Sequence, residues 1–370
     1  MFYDQIPAKI ILFFIIYGIT AAVPLIAALY LLMRKGNAFA PDVTPPLRLR
    51  RWAASFFAVS ALGPVWWYLF LIYSHDNHSP CYVVTAMVDC FGMLTTITGT
   101  LLAMLQDRKR PVWPVVVALT PYLIIGALYI ANPYDYFLTI AIGYILVLYV
   151  LFTVYMAFAV RRYGRWLRDN FADLERKEVW LSQLLSLVFM LLFILYALVD
   201  TNTIQIFLLH VVELVLFSFL LWRVETLPGL TTESLTTAPS TIEKGEDSSS
   251  AFVNIDLDRI EQLLSERCVD TKLYLQHDLT LQQLAHAVST NRSYLSQYFS
   301  RQGITYNIYI NNLRINHFIS RYQEMAASGQ TIVAQQLASE SGYRSYSTFS
   351  LAFKQRTGQS VTAWIHEITK

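Results

Sequence analysis

Three ionisable residues stand inside long apolar stretches of the sequence: Asp89, His210 and Glu213. A charged side chain in the hydrocarbon of a membrane costs about 3 kcal/mol or more unless it is paired or hydrated. His210 and Glu213 are one helical turn apart, so a helix would present both on one face. The three are candidates for a sensory site. The alternative is hydrogen bonding between helices or, for Asp89, contact with the outer water.

Sequence patterns of enzymatic chemistry are absent. The chain has no Walker loop, no GxSxG elbow and no HExxH zinc signature. Its three cysteines, Cys81, Cys90 and Cys268, form neither a CxxC pair nor a spaced Cys/His cluster. We therefore expect no catalytic residues, no cofactor, no metal site and no disulfide framework.

A helix, a break and a second helix occur twice near the C-terminus. The first copy covers residues 279–302, with a break at Ser289 and Thr290 and Asn291 as the expected N-cap of its second helix. The second copy covers 331–358, with Gly342 at the turn and Ser345 as the expected N-cap. The apolar residues that predict these helices are Leu281, Leu284, Ala285, Leu295 and Phe299, then Ile332, Leu337, Ala338, Phe349 and Phe353. The pattern predicts two helix-turn-helix units.

A single helix is predicted between the two units, over Thr305–Ala327. Its apolar residues recur at helical spacing, and its length at 1.5 Å per residue is about 34 Å. That is about one turn of B-DNA, so two recognition helices held at its ends are expected to enter successive major grooves.

The N-terminal part of the chain consists of apolar runs. The protein is 55% hydrophobic and 15% charged, which is unusual for a soluble protein. A helix needs about 20 apolar residues to cross a bilayer. Seven runs of this length follow one another, at 10–33, 52–73, 82–105, 112–131, 137–160, 180–199 and 204–222. The sequence predicts an all-α protein: a seven-transmembrane-helix bundle followed by a cytoplasmic all-helical domain.

The positive charges predict the orientation of the bundle. The loops on one side carry fourteen Lys and Arg residues, whereas the loops on the other side and the N-terminus carry only Lys9. Basic residues are retained on the cytoplasmic side. We therefore expect a multi-pass protein of the cytoplasmic (inner) membrane with its N-terminus outside and its C-terminal domain in the cytoplasm.

The composition changes abruptly after the last apolar run. Residues 224–256 are rich in Ser, Thr, Pro, Gly and acidic residues and are predicted to form a flexible linker with a reach of roughly 30 Å. The expected domains are thus 1–223 in the membrane and 257–370 beyond the linker. A flexible tether favours signalling in a homodimer, in which two copies come together and raise the effective concentration of their C-terminal domains. The basic run 161–170 is expected to lie on lipid headgroups, or else to touch the DNA-binding domain.

Residues 257–366 resemble the DNA-binding domain of AraC-type transcription regulators. The matching residues include LTLQQLA (279–285), YLSQYF (294–299), Gly342-Tyr343, Phe349-Ser350 and the terminal Gly358. The resemblance does not extend to residues 1–223. It implies a reader of double-stranded DNA with two recognition helices.

The resemblance also implies which residues face DNA. In the first unit they are Ser293, Ser296 and Gln297 at the bases, with Arg292 near a phosphate. In the second unit and its flank they are Arg344, Tyr346, Ser347, Ser350, Leu351 and Lys354. Gln297 is suited to adenine, and Leu351, where the family often has Arg, to a thymine methyl.

These features together predict a membrane-anchored, sequence-specific DNA-binding transcription regulator, whose membrane half would sense an envelope or lipid-phase signal. Its expected partners are double-stranded DNA, membrane lipids and a second copy of the chain. The sequence leaves the signal ligand unidentified. The alternative is a membrane receptor or transporter-like protein whose C-terminal helical module binds protein instead of DNA.

Overall fold

The computed structural model describes residues 8–34, 36–73, 80–132, 134–174, 177–196, 203–230 and 257–368. Two compact units make up the chain, one from residues 1–163 and 179–231 and the other from 164–178 and 232–370. Over the described ranges every regular element is a helix, and the β-type pairing there is an isolated antiparallel bridge between Phe171 and Thr280. The all-α prediction is confirmed for these residues.

Seven helices begin in the first unit and coincide with the seven apolar runs. They are α1 Ala8–Met33, α2 Leu47–Tyr73, α3 Pro80–Met104, α4 Trp113–Ala131, α5 Asp135–Asn170, α6 Trp180–Tyr196 and α7 Thr203–Thr226. Helix α5 departs most from the prediction, because it continues ten residues past the expected end at 160, through the whole basic run. That run contains no proline, and arginine is a good helix former. Its last residues, 164–170, belong to the second unit.

The predicted count of seven membrane spans is not confirmed. Among the described residues, four helices are long and apolar enough to cross a membrane, with spans at Phe14–Met33, Val83–Met104, Trp113–Ala131 and Tyr136–Asn170. The other three helices are shorter or more charged. Helix α6 has 17 residues, and α2 begins with three arginines in its first five residues. Helix α7 carries four ionisable residues: His210, Glu213, Arg223 and Glu225.

Packing in the first unit joins α1, α2, α3 and α7. Helix α1 packs on α2 and α7, and α2 packs on α3. The rings of Phe56 and Phe57 meet the ring of Phe217 edge-on, with centroids 5.9 and 5.8 Å apart. At the end of α7 the fully buried Glu225 accepts from Arg34 at 3.0 Å, which gives a buried carboxylate the charged partner that it needs.

The predicted linker begins at residue 224, whereas residues 224–230 are ordered in the first unit. Helix α7 ends at Thr226, and the next residue, Leu227, is completely buried. The side chain of Gln106 donates to the carbonyl of Pro228 at 2.9 Å and accepts from the backbone N–H of Leu230 at 2.7 Å. These bonds explain why residues 228–230 are ordered. No local sequence pattern indicates them, because the partners are more than 120 residues apart in the chain. The rest of the predicted linker, 231–256, lies outside the described residues.

Among its described residues, the second unit contains seven further helices. They are α8 Leu257–Leu264, α9 Leu281–Ala287, α10 Arg292–Arg301, α11 Tyr306–Ala327, α12 Ala334–Glu340, α13 Tyr346–Thr357 and α14 Val361–Ile368. A π turn at Ser265–Val269 continues α8, and a 3-10 turn follows at Leu273–Leu275.

Helix α11 supplies side chains to both hydrophobic cores of the second unit. Its N-terminal half places Tyr306 and Ile310 in the core of α8, α9 and α10. Its C-terminal half places Phe318 and Tyr322 in the core of α12, α13 and α14. One helix therefore fixes the positions of the two helix pairs, as the sequence predicted for the connecting segment.

Candidate nucleic-acid interface

The first helix-turn-helix unit consists of α9 and α10. Thr280 caps α9 in a reciprocal capping box with Gln283, which satisfies two backbone donors at the helix start. Ser289 has a positive φ of 56° and turns the chain out of α9. Asn291 then caps α10 by accepting from the backbone N–H of Tyr294 at 2.8 Å. The predicted break and the predicted N-cap are both confirmed.

Helix α10 divides its side chains between the core and the surface. Its buried side chains are those of Leu295, Tyr298 and Phe299. Ser293, Ser296 and Gln297, at i, i+3 and i+4, are exposed or half-buried on the opposite face, and Arg292 is half-buried at the start of the helix. The core side chains therefore turn a polar face outward. Base contact by these four residues stays a prediction.

The second helix-turn-helix unit consists of α12 and α13. Gly342 has a φ of 91°, and a Cβ there would lie 2.8 Å from the carbonyl oxygen of Leu275, so this turn requires glycine on two grounds. Ser345 accepts from the backbone N–H of Thr348 at 3.3 Å and caps α13, as predicted. Ile332 was expected inside the first helix, but α12 begins only at Ala334, and Ile332 packs against the core from the preceding extended residues.

Helix α13 shows the same division with different chemistry. Phe349 and Phe353 are completely buried. The side chains predicted to face DNA are exposed or half-buried on the other side of the helix: Tyr346, Ser347, Ser350, Leu351 and Lys354. Leu351 is 61% exposed, which leaves an apolar group available to a thymine methyl. Contact with DNA by these residues stays a prediction.

Arg344, in the turn of the second unit, forms an ion pair with Asp278. The arginine side chain is 65% exposed and the aspartate side chain 35% exposed. Asp278 has a φ of 54° in the loop before α9, so the pair joins the turn of the second unit to the start of the first. Sequence reasoning missed Asp278, because no local pattern relates two residues that far apart.

Arg314, which sequence analysis would count as a basic surface residue, is completely buried. Its guanidinium donates to the carbonyls of Tyr274 and Gln276, both at 2.7 Å, and lies over the ring of Tyr343. Burial lowers the pKa of Arg314, and burial likewise raises the pKa of Tyr343 above its ordinary value. Arg314 therefore joins the two cores and is withdrawn from the surface that DNA would touch.

The spacing of the two units is set by α11. This helix has 22 residues from Tyr306 to Ala327, with Thr305 as its N-cap. At 1.5 Å per residue it is about 33 Å long. The length of the predicted connecting helix is thus confirmed to within one residue.

The three sensory candidates lie on two helices of the first unit. His210 Nδ1 and Glu213 Oε2 are 3.1 Å apart on α7, and the ring of His210 meets the ring of Tyr17 edge-on at 5.6 Å. Asp89 lies on α3, where its carboxylate would be 3.2 Å from a Cβ at Gly63 of α2. The structure therefore brings His210 and Glu213 together and places Asp89 against a different helix pair. Their sensory role stays a prediction.

The first unit also contains a cavity of about 680 Å³ that sequence reasoning missed. Apolar side chains of α3, α4 and α5 form most of its wall, and Met190 of α6 contributes as well. Arg108, Lys109 and Arg110, between α3 and α4, complete the lining. Apolar walls combined with cations suit an anionic amphiphile better than a purely polar ligand.

No curated protein and no solved structure matches this chain. A family model described as a helix-turn-helix domain matches residues 284–367, which include both recognition helices and all of α11. This match supports the resemblance to the AraC-type DNA-binding domain. The C-terminal part of the chain is accordingly similar to a family of DNA-binding regulator domains.

Proposed function

We propose that this protein is a membrane-anchored, sequence-specific DNA-binding transcription regulator. The observation that carries the proposal is the pair of capped recognition helices, α10 and α13, packed against opposite ends of α11 with polar or exposed faces outward. The family match over residues 284–367 supports the same conclusion.

The two recognition helices contribute differently to binding. Gln297 on α10 reads adenine through N6 and N7, with Ser293 and Ser296 beside it. On α13, Leu351 packs on a thymine methyl while Lys354 holds a phosphate. Phosphate contacts set the register, and base contacts select the sequence.

Anchoring in the cytoplasmic membrane is supported by the surface of the first unit as well as by its four apolar helices. Large apolar side chains are exposed along these helices, among them Ile26 at 65%, Val117 at 59% and Phe158 at 66%. Such extensive apolar exposure is uncommon on a soluble protein. The predicted orientation, with the helix-turn-helix units in the cytoplasm, gives them access to DNA.

Signal sensing is the third part of the proposal. The cavity between α3, α4 and α5 combines an apolar wall with the cations Arg108 and Lys109, a lining that suits a lipid-phase anion. The pair of His210 and Glu213, whose Nδ1 and Oε2 atoms are 3.1 Å apart on α7, is a second candidate. A signal must bind two arrangements of the bundle with different affinity in order to shift their populations.

The test of DNA binding uses the full-length protein in lipid nanodiscs and a random-sequence duplex library. We expect selection of a preferred sequence and an affinity that falls steeply with salt. Arg292→Ala should weaken all sequences alike and reduce the salt slope by about one. Arg321→Ala is the matched control, because Arg321 is already paired with Glu324 at 2.7 Å on α11. Salt-independent binding, or none, would contradict the proposed function.

The test of orientation uses a reporter that is active only outside the cytoplasm. Fused after residue 230 it should be silent, whereas inserted between α4 and α5 at residue 133 it should be active. The reverse pattern would place the helix-turn-helix units away from DNA and would overturn the proposal.

A further inference from the structure

A short segment between α5 and α6 in the sequence packs into the second unit. We call residues 171–174 and 177–178 the docking segment. Phe171 forms the antiparallel bridge with Thr280, and the backbone N–H of Ala172 donates to the carbonyl of Leu279 at 3.4 Å. Ala172 is 2% exposed and belongs to the hydrophobic core of the first helix-turn-helix unit. The segment therefore extends that core at the N-terminal end of α9.

Two asparagines of α11 hold the backbone of the docking segment. The amide of Asn307 donates to the carbonyls of Phe171 and Ala172 at 3.1 and 2.7 Å. The amide of Asn311 donates to the same carbonyl of Ala172 at 3.3 Å. Asn307 and Asn311 are four residues apart and so lie on one face of the helix. The docking site thus provides hydrogen-bond donors for the backbone as well as an apolar contact surface for Ala172.

The docking segment also brings two charges to the junction of the helix-turn-helix units. Asp173 is 6% exposed and acts on Arg314, whose pKa is lowered by burial and raised by this carboxylate among others. Lys177 is 8% exposed, and its Nζ is 3.5 Å from Oδ1 of Asp278. The other oxygen of that carboxylate pairs with Arg344. Lys177 and Arg344 therefore share one aspartate.

We propose that residues 171–174 and 177–178 form a regulatory docking segment whose binding surface is residues 278–280 together with α11, and whose docking strengthens DNA binding by weakening the hold of Asp278 on Arg344. This inference rests on the proposed function. When the segment is docked, Lys177 shares Asp278 with Arg344 and neutralises part of its charge, so a phosphate competes more effectively for the exposed Arg344. When the segment is withdrawn, Asp278 pairs with Arg344 alone.

The chain provides a route by which the bundle controls this contact. The docking segment is joined covalently to α5 and α6, so a rearrangement of those helices pulls on it directly. Its contacts include the amide-to-carbonyl bonds from Asn307 and Asn311, and the exchange of such bonds for bonds to water has only a small net cost. Because the coupling is reciprocal, DNA must favour docking by the same factor by which docking favours DNA.

The experiment measures docking and DNA binding in the same protein. Ala172→Cys is introduced into full-length protein whose three natural cysteines are replaced by alanine, in nanodiscs, and maleimide labelling of the new thiol reports undocking. We expect selected duplex DNA to slow labelling about fivefold, the low end of coupling between linked sites. Lys177→Met should speed labelling and weaken DNA binding.

Two controls separate the mechanism from a loss of charge. Arg168→Met removes the same charge from the exposed last turn of α5 and should leave the labelling rate unchanged. In an Arg344→Ala background, Lys177→Met should weaken DNA binding no more than Arg168→Met does.

Labelling that DNA leaves unchanged or accelerates, in protein that binds DNA, would overturn the docking mechanism and leave the proposed function intact. Protein that labels normally but binds no DNA would contradict the proposed function instead. A misfolded variant is recognised by maleimide labelling as fast as that of the urea-unfolded protein and is replaced by Ala172→Ser, with hydrogen exchange of the amide of residue 172 as the measurement.

Discussion

The two helix-turn-helix units share one design but differ in how their helices are capped and in the side chains that they expose. The first has side-chain caps on both helices, a full capping box at Thr280 and Asn291 on α10, and exposes a polar face around Gln297. The second has a side-chain cap on α13 but none on α12, packs the ring of Phe318 against those of Phe349 and Phe353, and exposes Leu351. A repeated motif can therefore keep its geometry while its energetics and its binding chemistry diverge.

This contrast assigns different tasks to the units. Hydrogen-bonding side chains on α10 suit discrimination between bases, because a wrong base leaves a polar group unpaired. An apolar side chain and flanking cations on α13 suit binding to DNA with lower sequence selectivity. The predictions below test the contrast, from the largest expected effect to the smallest.

The largest effect is expected from Phe353→Ala in the second unit. Phe353 is completely buried among Phe318, Phe349 and Trp364, so the truncation should lower the free energy of unfolding of this unit by about 3–5 kcal/mol. Hydrogen exchange should show α12 to α14 losing protection while α9 and α10 keep theirs. Equal loss in both units would mean that they unfold together and that their cores are not energetically separate.

Gln297→Ala should relax the preference for one base by about 1–3 kcal/mol, since the amide is expected to bond adenine on two atoms. Leu351→Ala is the matched change in the second unit. It should cost less discrimination, limited to a position where thymine is preferred, because only methyl contact is lost. Competition binding with single-base variants of the selected site measures both. Equal effects would remove the proposed division of tasks.

The two recognition-helix caps allow a direct comparison. Asn291→Ala and Ser345→Ala each remove a side-chain acceptor at a helix start and should each cost about 1 kcal/mol of stability. Chemical denaturation followed by circular dichroism gives both values. Because α10 is expected to make the base-selective contacts, we expect Ser345→Ala to affect DNA binding less than Asn291→Ala does.

The smallest effect concerns His317, which lies on α11 with its ring 6.1 Å from that of Tyr274. Burial, with the nearby charges of Lys272 and Arg321, lowers the pKa of His317 below its ordinary value. The folded protein thus favours the neutral ring. Its contribution to stability is complete above about pH 6.5, the usual pKa of histidine, and is lost as the pH falls through the lower folded value. An NMR titration should place the pKa of His317 below 6.5, and His317→Gln should remove this part of the pH dependence.

Sequence patterns predicted the regular elements well because those patterns are local. Apolar residues at spacings of three and four predict α9 to α13. The residue types at Asn291, Gly342 and Ser345 predict their turns and caps. The prediction was weaker where a helix continued without an apolar signal. Helix α5 runs through the basic residues 161–170, and α7 runs four residues past its predicted end.

The membrane prediction shows the limit of apolar length as a criterion. Seven apolar runs became seven helices, yet only four among the described residues are long and apolar enough to span a bilayer. The sequence predicts that the arginines at the start of α2 lie in a loop and that Glu225 of α7 lies in the linker. In the structure they are parts of the helices, and Glu225 of α7 is buried in an ion pair with Arg34.

The sequence by itself determined that the chain is helical, that its first part is rich in apolar helices and that two helix-turn-helix units flank one long helix. These are consequences of composition and of spacings of three and four residues, which act within one or two turns. Only the tertiary structure decided the burial of Arg314, the pairing of Arg344 with Asp278 and the contacts of Phe171, Ala172 and Lys177 with the second unit. Each of these joins positions far apart in the chain, 136 positions in the case of Phe171 and Asn307. A charge or a carbonyl finds such a partner only when the packed cores bring the two together, so no local pattern can indicate it.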